Sequence, residues 1–359
     1  MDFLLMNHGG DITTYRDLYD GELVDFSSNI NPLGPPEGLY DELKNNFNSL
    51  TIYPDIQYRT LKSNIGKYLN CDCSNIVVGN GAVEVINNFI QLFDRVVTFV
   101  PCFSEYEKRG KVLKKEICKI PLSPDFTIDI DSVKRNLKKG DILILGNPNN
   151  PTGLRIEEDK LKLIYDIVNL KESFLLLDEA FFEFCPKDYD SIKMFKDKDY
   201  DRIAIIRAAT KFFALPGIRL GYACTSNKMA REYEKVELPW SINSLADCSG
   251  RYIFGCEEYI EKSKNYIQGE RQYMTKALMK IKFINLYPTQ SNYILIKSRK
   301  FNENFLFYYF LKRGILIRKC SSFDGLDDKH IRLAIKNRKN NERVIKIFKE
   351  LENVEENMS

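Results

Sequence analysis

The sequence predicts an α/β fold in which a mostly parallel sheet is flanked by helices. Short apolar runs, such as residues 76–78 and 141–145, alternate with amphipathic stretches, such as residues 82–93 and 157–168, and this alternation is typical of parallel sheets. At 359 residues, of which 44% are hydrophobic, the chain exceeds the usual size of a single core. We therefore expect a large domain and a second, smaller one.

The elements are assigned in chain order from these patterns. Strands are predicted at residues 76–78, 95–100, 141–145, 175–178 and 202–207, and helices at residues 82–93, 103–111 and 157–168. From about residue 260 the pattern changes to a long charged helix, a strand at 292–296, a helix at 302–313 and a strand at 331–335, which predicts a smaller α+β domain. The expected division is an N-terminal segment at 1–40, a large domain at 41–260 and a small domain at 261–359. A ligand site is expected where the carboxyl ends of the parallel strands meet.

Lys211 lies in a glycine-punctuated segment, residues 207–222 (RAATKFFALPGIRLGY), next to Thr210 and upstream of Arg219. An aldehyde cofactor that carries a phosphate needs an amine with which to condense, and a hydroxyl and a guanidinium to hold the phosphate. Because this segment offers all three groups, it indicates pyridoxal phosphate. Taken alone, a lysine near an arginine is more often a solvated surface group.

Further polar groups that suit this cofactor follow other predicted strands. The apolar run at 175–177 ends at Asp178, whose carboxylate can keep a pyridine nitrogen protonated. Residues 146–153 (GNPNNPTG) form a turn that can aim an asparagine amide into a site. Residues 79–84 (GNGAVE) precede a helix, where small residues and free N–H groups suit a phosphate, although they also suit an ordinary turn.

In their order along the chain, these elements resemble those of the fold type I pyridoxal-phosphate enzymes. The resemblance is to the class I/II aminotransferase family, in the branch of histidinol-phosphate aminotransferase and threonine-phosphate decarboxylase, and it covers essentially the whole chain. It implies a large domain that binds the cofactor, a smaller domain with which the N-terminal segment packs, and a homodimer.

The resemblance also implies a role for each matching residue. Lys211 is implied to bind the cofactor covalently, and Asp178 to pair with its ring nitrogen. The other implied cofactor contacts are Asn150 at the 3-oxygen of the ring, Phe103 over the ring, Gly81, Ala82, Val83, Thr210 and Arg219 at the phosphate, and Tyr53, which reaches the phosphate in the neighbouring subunit. Arg332 matches the arginine that binds the substrate's α-carboxylate. The simpler alternatives are a core aromatic for Phe103, a turn residue for Tyr53 and a solvated strand residue for Arg332.

Five peripheral segments resemble threonine-phosphate decarboxylase of cobalamin biosynthesis in particular. They are residues 8–11 (HGGD), 26–34 (FSSNINPLG), 178–181 (DEAF), 239–243 (PWSIN) and 318–326 (RKCSSFDGL). These segments add His8, Asn31 and Arg318 as donors for a substrate phosphate; a frayed terminus and a solvent-facing arginine are the alternatives for His8 and Arg318. Two residues depart from the relatives: Phe181 stands where histidinol-phosphate aminotransferases usually have tyrosine, and Ala208 where a phosphate-binding hydroxyl is common.

We therefore expect a cytoplasmic homodimer that decarboxylates L-threonine O-3-phosphate to 1-amino-2-propanol phosphate. The alternatives are an aminotransferase of the histidinol-phosphate type and a non-catalytic regulator that binds pyridoxal phosphate. The formal net charge of +3 does not indicate nucleic acid or a membrane surface as partner, and no apolar run approaches the ~20 residues of a membrane-spanning helix. Two histidines and no C-x-x-C motif argue against a metal site.

Overall fold

The computed structural model describes residues 9–356, and only the backbone of residues 354–356. In chain order the α-helices are α1 (Ile12–Tyr15), α2 (Leu39–Asn45), α3 (Arg59–Leu69), α4 (Ala82–Gln91), α5 (Glu105–Val112), α6 (Ile130–Asn136), α7 (Glu158–Leu170), α8 (Ser191–Lys196), α9 (Asn227–Glu234), α10 (Ser244–Ile253), α11 (Glu257–Leu278), α12 (Glu303–Leu311) and α13 (Arg338–Glu356). The β-strands are β1 (Val24–Asp25), β2 (Ile76–Asn80), β3 (Arg95–Val100), β4 (Glu116–Pro121), β5 (Ile142–Gly146), β6 (Phe174–Asp178), β7 (Ile203–Ala208), β8 (Leu220–Thr225), β9 (Ile284–Leu286), β10 (Tyr293–Ser298), β11 (Ile315–Leu316), β12 (Arg318–Lys319) and β13 (His330–Ala334).

A seven-stranded sheet lies at the centre of the fold, with the strand order β2-β8-β7-β6-β5-β3-β4. Strand β8 runs antiparallel to its neighbours β2 and β7, whereas the remaining neighbours pair in parallel. The central strands β5, β6 and β7 contain the apolar runs ILIL, FLLL and IAII, which are buried. Such continuous apolar strands are typical of a sheet that helices cover on both faces. The predicted α/β fold with a mostly parallel sheet is confirmed.

Two strands of this sheet carry no clear signal in the sequence. Strand β4 (EICKIP) lies at the edge and buries only Ile120, so its apolar run is interrupted by Glu116 and Lys119. Strand β8 (LGYACT) is buried throughout, but its small residues give no sign that it inserts antiparallel between β2 and β7. The elements that the sequence did predict with both bounds begin and end within two residues of them, and the long charged helix expected from about residue 260 begins at Glu257.

The C-terminal part contains a four-stranded antiparallel sheet with the order β12-β13-β10-β9. Helices α11 and α13 pack against each other beside it. The boundary expected at residues 260 and 261 falls inside α11, so one continuous helix crosses it. The division into domains therefore stays a prediction.

The N-terminal segment lies between the two sheets. Strand β1 pairs in parallel with β11. Immediately after β1, the Phe26 N–H donates to the Leu316 carbonyl at 2.7 Å, and the Phe26 carbonyl accepts from the Ala334 N–H at 2.9 Å. Further along, the Asn31 N–H donates to the Lys211 carbonyl at 3.0 Å. The segment is thus bonded both to the C-terminal part and to the loop that follows β7.

Gly221 in β8 lets the loop before α4 approach the sheet closely. It lies opposite Gly79 in β2 and Ala208 in β7. A Cβ atom at Gly221 would collide with the backbone of Gly81 and Ala82. The absence of a side chain here brings the N-terminus of α4 beside the loop that follows β7.

We expect Gly221→Ala to lower the free energy of unfolding by about 1–3 kcal/mol, because the added methyl group overpacks a rigid backbone contact. Urea denaturation of the cofactor-free protein measures this loss. Gly269→Ala is the matched control, since nothing lies within 4 Å of a Cβ at this position in α11 and alanine favours a helix. Equal stability of the Gly221→Ala variant and the wild type would contradict the close-approach argument.

Candidate active site

A cavity of about 490 Å³ opens at the carboxyl ends of the parallel strands, beneath the N-terminal segment and the smaller sheet. Its lining includes the residues predicted from the sequence at Ala82, Val83, Phe103, Asn150, Asp178, Thr210, Lys211, Arg219, Arg318 and Arg332. The fold therefore gathers these side chains from distant parts of the chain. The individual roles of these residues stay predictions.

One end of the cavity is suited to an anion. Gly81 precedes α4 with a φ of +78°, and no side chain caps the helix N-terminus, so its free N–H groups and dipole favour a negative charge. The Arg219 guanidinium lies directly against Gly81, where a Cβ would collide with it. It donates to the Asn80 carbonyl at 3.3 Å. Only glycine at position 81 leaves room for the guanidinium beside the helix N-terminus.

Lys211 follows β7 and reaches the same cavity. Burial and the positive charge of Arg332 lower the pKa of its amine from 10.5 to about 8, while Asp25 acts in the opposite direction. Its Nζ lies 6.0 Å from the centroid of the Phe181 ring. Since a neutral amine is the nucleophilic form, a lowered pKa suits a lysine that condenses with an aldehyde.

Asp178 lies at the end of β6 and is buried. Tyr106 donates its hydroxyl to Asp178 Oδ2 at 2.7 Å, and the Ala180 N–H donates to Oδ1 at 3.0 Å. Burial raises the pKa of this carboxyl, and the two hydrogen bonds lower it. Phe103 packs edge-to-face on Tyr106, with ring centroids 5.7 Å apart. Sequence reasoning missed Tyr106, although it follows Phe103 by three residues, close to one helical turn.

Arg332 connects several parts of the cavity wall. Its Nη1 donates to Asn150 Oδ1, and its Nη2 donates to the Ser27 carbonyl at 2.9 Å. The guanidinium carbon lies 5.2 Å from the centroid of the Tyr293 ring, and Nε has no hydrogen-bond partner within the described chain. Arg332 therefore joins the turn that carries Asn150 to the N-terminal segment.

Arg318 lies beside Arg332, because the two residues are directly opposite each other in the β12–β13 pair. It is only 2% exposed, which excludes the solvent-facing alternative. Its Nη2 donates to Ser322 Oγ at 2.8 Å. Burial and the neighbouring charge of Arg332 lower the pKa of Arg318 to about 10. Two buried guanidinium groups on one wall favour an anionic ligand.

Among the described residues, three predicted site residues are not part of the lining of this cavity: Gly81, Asn31 and Tyr53. Asn31 is buried, and its amide donates to the Phe212 carbonyl at 2.8 Å and to Tyr259 and Ser263 at 3.0 Å. The amide donors of Asn31 are thus used inside the fold, and the assignment of Asn31 to a substrate phosphate stays a prediction. Tyr53 is 77% exposed and lies against Trp240, with ring centroids 4.6 Å apart. His8 lies outside the described residues.

The groups around the cavity fit pyridoxal phosphate. The open N-terminus of α4 with Arg219 suits its phosphate, Lys211 offers an amine of lowered pKa for its aldehyde, and Asp178 offers a buried carboxylate for its ring nitrogen. Asn150 and Phe103 supply an amide and an aromatic face on the same cavity. A phosphate cradle, an amine and a carboxylate together match the functional groups of this cofactor.

This fold and this site define a pyridoxal-phosphate-dependent enzyme. The chain belongs to the class I and II aminotransferase family, whose model matches residues 21–348.

Within the family, the chain is similar to proteins of two activities. It is 39% identical to a provisionally named threonine-phosphate decarboxylase from Caldanaerobacter subterraneus subsp. tengcongensis, over 96% of this chain and 93% of that protein. It is 32% identical to the threonine-phosphate decarboxylase of Salmonella typhimurium, over 94% of each chain. The crystal structure of histidinol-phosphate aminotransferase from Clostridium acetobutylicum superposes with a TM-score of 0.88 at 35% identity, covering 92% of this chain and 99% of that one. The family is therefore shown, and the reaction remains a choice between these activities.

Two further properties concern only residues 9–356. In this range no group of three or more histidine, cysteine, aspartate or glutamate side chains is placed to hold a metal ion. None of the helices found there combines the length and the apolar character needed to cross a membrane.

We expect the rate at which pyridoxal phosphate attaches to the cofactor-free protein to rise about tenfold per pH unit below pH 8 and to level off above it, because only the neutral Lys211 amine reacts. Absorbance measures the rate, and borohydride reduction with peptide mass spectrometry locates the attachment. Lys211→Ala should abolish attachment. Arg332→Gln should move the plateau to higher pH, since it removes a charge that lowers this pKa. A wild-type rate that keeps rising to about pH 10 would contradict the lowered pKa.

Proposed function

We propose that this protein decarboxylates L-threonine O-3-phosphate to 1-amino-2-propanol phosphate. The observation that carries the proposal is the pair of buried arginines, Arg318 and Arg332, opposite each other on the wall of the cavity that holds Lys211. Like charges directly opposite in a sheet repel each other, and burial makes each charge more costly. An anionic ligand offsets both costs.

The proposed substrate carries one anionic group for each arginine. Arg332 is assigned to the α-carboxylate, since its guanidinium lies beside Asn150 and can present two parallel N–H donors. Arg318 is assigned to the phosphate, together with Ser322, to which it is hydrogen-bonded. Unphosphorylated threonine would bring no phosphate to Arg318. The proposal therefore requires a substrate with both groups.

The chain's own residues then perform the remaining steps. Bound pyridoxal phosphate supplies an electron sink next to the substrate's Cα. In the proposed reaction the bond between Cα and the carboxylate carbon breaks. Carbon dioxide leaves, and the electron pair of the broken bond stays on Cα. Lys211 is assigned to return a proton to Cα, because its amine changes charge near neutral pH. Asp178 is assigned to keep the ring nitrogen protonated.

An aminotransferase of the histidinol-phosphate type is the second candidate, supported by the 35% identical Clostridium acetobutylicum enzyme. The residue at position 181 favours the decarboxylase instead. Phe181 packs edge-to-face on Tyr293 with ring centroids 5.0 Å apart, and brings no hydroxyl to the cavity where the aminotransferases are expected to have one. The 39% identical relative carries the decarboxylase name.

We also propose a cytoplasmic homodimer in which Tyr53 contacts the cofactor phosphate of the neighbouring subunit. Tyr53 does not line the cavity of its own chain. Tyr53 is exposed, as are Tyr40, Phe47, Leu50 and Ile52, which lie nearby in the sequence, and exposed apolar side chains in one region suit a site of protein association. A partner chain would cover these side chains.

The first test supplies the purified holoenzyme with L-threonine O-3-phosphate and no keto acid. We expect release of carbon dioxide and formation of 1-amino-2-propanol phosphate, both measured against time. Turnover of histidinol phosphate that requires 2-oxoglutarate, with no carbon dioxide from threonine phosphate, would establish the aminotransferase instead. A protein that binds the cofactor and turns over neither substrate would favour the regulatory alternative.

A variant tests the phosphate assignment within the same assay. Arg318→Gln should lower kcat/KM for threonine phosphate by about 10- to 100-fold, the usual effect of losing a buried charge-assisted hydrogen bond, and should change the slow reaction of threonine much less. Arg299→Gln is the control, because this arginine is exposed and, among the described contacts, its guanidinium bonds only to Asn285. Equal losses with both substrates would remove Arg318 from phosphate binding.

Mixed dimers test the position of Tyr53. Chains with Lys211→Ala and chains with Tyr53→Phe should each have low activity. A mixed dimer contains one site with a native Lys211 and a native Tyr53 from the other chain, so reassembly of equal amounts should restore about one quarter of the wild-type activity by statistical pairing. Mixed dimers that form, as verified by native mass spectrometry, without any gain in activity would show that Tyr53 does not act across the interface.

A further inference from the structure

Tyr106 is a buried polar side chain at the site to which neither the sequence patterns nor the proposed function gives a role. It is 2% exposed and lies in the first turn of α5, three residues after Phe103. Its hydroxyl donates to Asp178 Oδ2 at 2.7 Å. The other carboxylate oxygen accepts the Ala180 N–H at 3.0 Å. The Asp178 carboxylate is therefore held at both oxygens by donors from two different segments.

We propose that Tyr106 is a positioning residue that acts on the cofactor through Asp178: its hydroxyl fixes the orientation of the carboxylate and keeps it ionised opposite the ring nitrogen. The proposal rests on the assignment of Asp178 to that nitrogen. It does not depend on whether the enzyme decarboxylates or transaminates.

The physical basis is the cost of a buried negative charge. Burial disfavours the ionised form of Asp178, and each hydrogen bond to that form offsets part of the cost. A carboxylate that took the proton itself could not stabilise a protonated ring nitrogen. The Tyr106 hydroxyl therefore shifts the shared proton from the carboxylate towards the nitrogen, which strengthens the electron sink.

A phenol suits this role because it remains a donor over a wide pH range. Burial and the charge of Asp178 raise the pKa of Tyr106 well above its usual value, so the hydroxyl keeps its proton. The other titratable groups that act on Tyr106 are Cys102 and Tyr293, and burial raises the pKa of each, for Cys102 to about 12. The donor to Asp178 is therefore constant where a histidine would titrate.

The alternative is that Tyr106 only fills space against Phe103, on which its ring packs edge-to-face. Tyr106→Phe separates the two roles, because it keeps the ring and removes only the hydroxyl. Tyr165→Phe is the matched control: Tyr165 is also buried, and it donates its hydroxyl to the Asp201 carbonyl at 2.8 Å, outside the cavity. Thermal unfolding of both variants measures any purely structural loss.

The decisive readout is the protonation of the cofactor itself, observed by 15N NMR of holoenzyme loaded with pyridoxal phosphate labelled at the ring nitrogen. In Tyr106→Phe the ring nitrogen resonance should move towards the unprotonated position, and the acid limb of the kcat profile should move to higher pH, since Asp178 protonates more easily. We expect kcat to fall roughly tenfold or more, as for loss of a hydrogen bond to a charged group. Tyr165→Phe should change neither the ring nitrogen resonance, nor the acid limb of the kcat profile, nor kcat.

A double-mutant cycle tests whether the effect passes through Asp178. In the Asp178→Asn background, removal of the Tyr106 hydroxyl should change kcat less than about twofold, because the charge on which it acts is already absent. A second variant, Tyr106→3-fluorotyrosine, keeps the ring and hydroxyl but donates more strongly, and should move the acid limb to lower pH. An unchanged ring nitrogen resonance in Tyr106→Phe would overturn the proposal. An equal loss of kcat on removal of the hydroxyl in the wild-type and the Asp178→Asn backgrounds would overturn it as well. If Asp178→Asn left kcat unaffected, the assignment of Asp178 would fail instead.

Discussion

The buried ion pair between Arg207 and Glu179 is the interaction on which the arrangement of the strand ends depends. Arg207 donates from Nε and Nη2 to Glu179 Oε2 at 3.2 and 3.0 Å, and Asn147 Nδ2 donates to Glu179 Oε1 at 2.9 Å. These residues lie at or just after the ends of β7, β6 and β5, the strands that lead to Lys211, Asp178 and Asn150. A buried pair that loses one partner costs about 3–5 kcal/mol, so this pair constrains the three loops to one relative position. Rigid support of this kind is what a preorganised site requires.

Three positively charged residues and one negatively charged residue act on the amine of Lys211. Burial, Arg332, Lys336 and Arg219 all lower its pKa, and Asp25 raises it. Burial lowers the pKa of Lys336, whose Nζ donates to the Ser28 carbonyl at 3.2 Å. The cavity thus concentrates positive charge before any ligand binds, and anionic ligands relieve the repulsion between these groups. Binding of cofactor and substrate should therefore be coupled to the stability of the folded chain. Arg207, in contrast, already has Glu179 and Asp190 as anionic partners within the chain.

The sequence predicted the parts of the fold and site that depend on local patterns, and less of what depends on packing. Apolar runs located β5, β6 and β7, and strand-end polarity located Asp178 and Lys211, since both signals are contained in a few consecutive residues. The antiparallel insertion of β8 and the buried amide of Asn31 were not predictable in this way. Asn31 lies in a segment that resembles a decarboxylase. Its side-chain amide donates to Phe212, Tyr259 and Ser263, which only the folded chain brings close to it. Tyr106 was missed for the same reason: its partner, Asp178, is 72 residues away along the chain.

The difference between local sequence patterns and packing also explains why the fold alone does not decide the reaction. Decarboxylation and transamination differ in which bond at the substrate's Cα stands perpendicular to the cofactor ring, and that angle is set by where the anionic groups of the substrate are held. Arg332 is bonded to Asn150 on one side and to the Ser27 carbonyl on the other, while Arg318 lies opposite it in register. Under the proposed assignment, a change in the position of either guanidinium would rotate the substrate about Cα while Asp178 stays in place. Moving Arg332 would also change the pKa of Lys211. The relatives of 32–39% identity carry the names of two reactions. Under the proposed assignment, the choice between these reactions depends on the wall formed by β12, β13 and the N-terminal segment, together with Phe181.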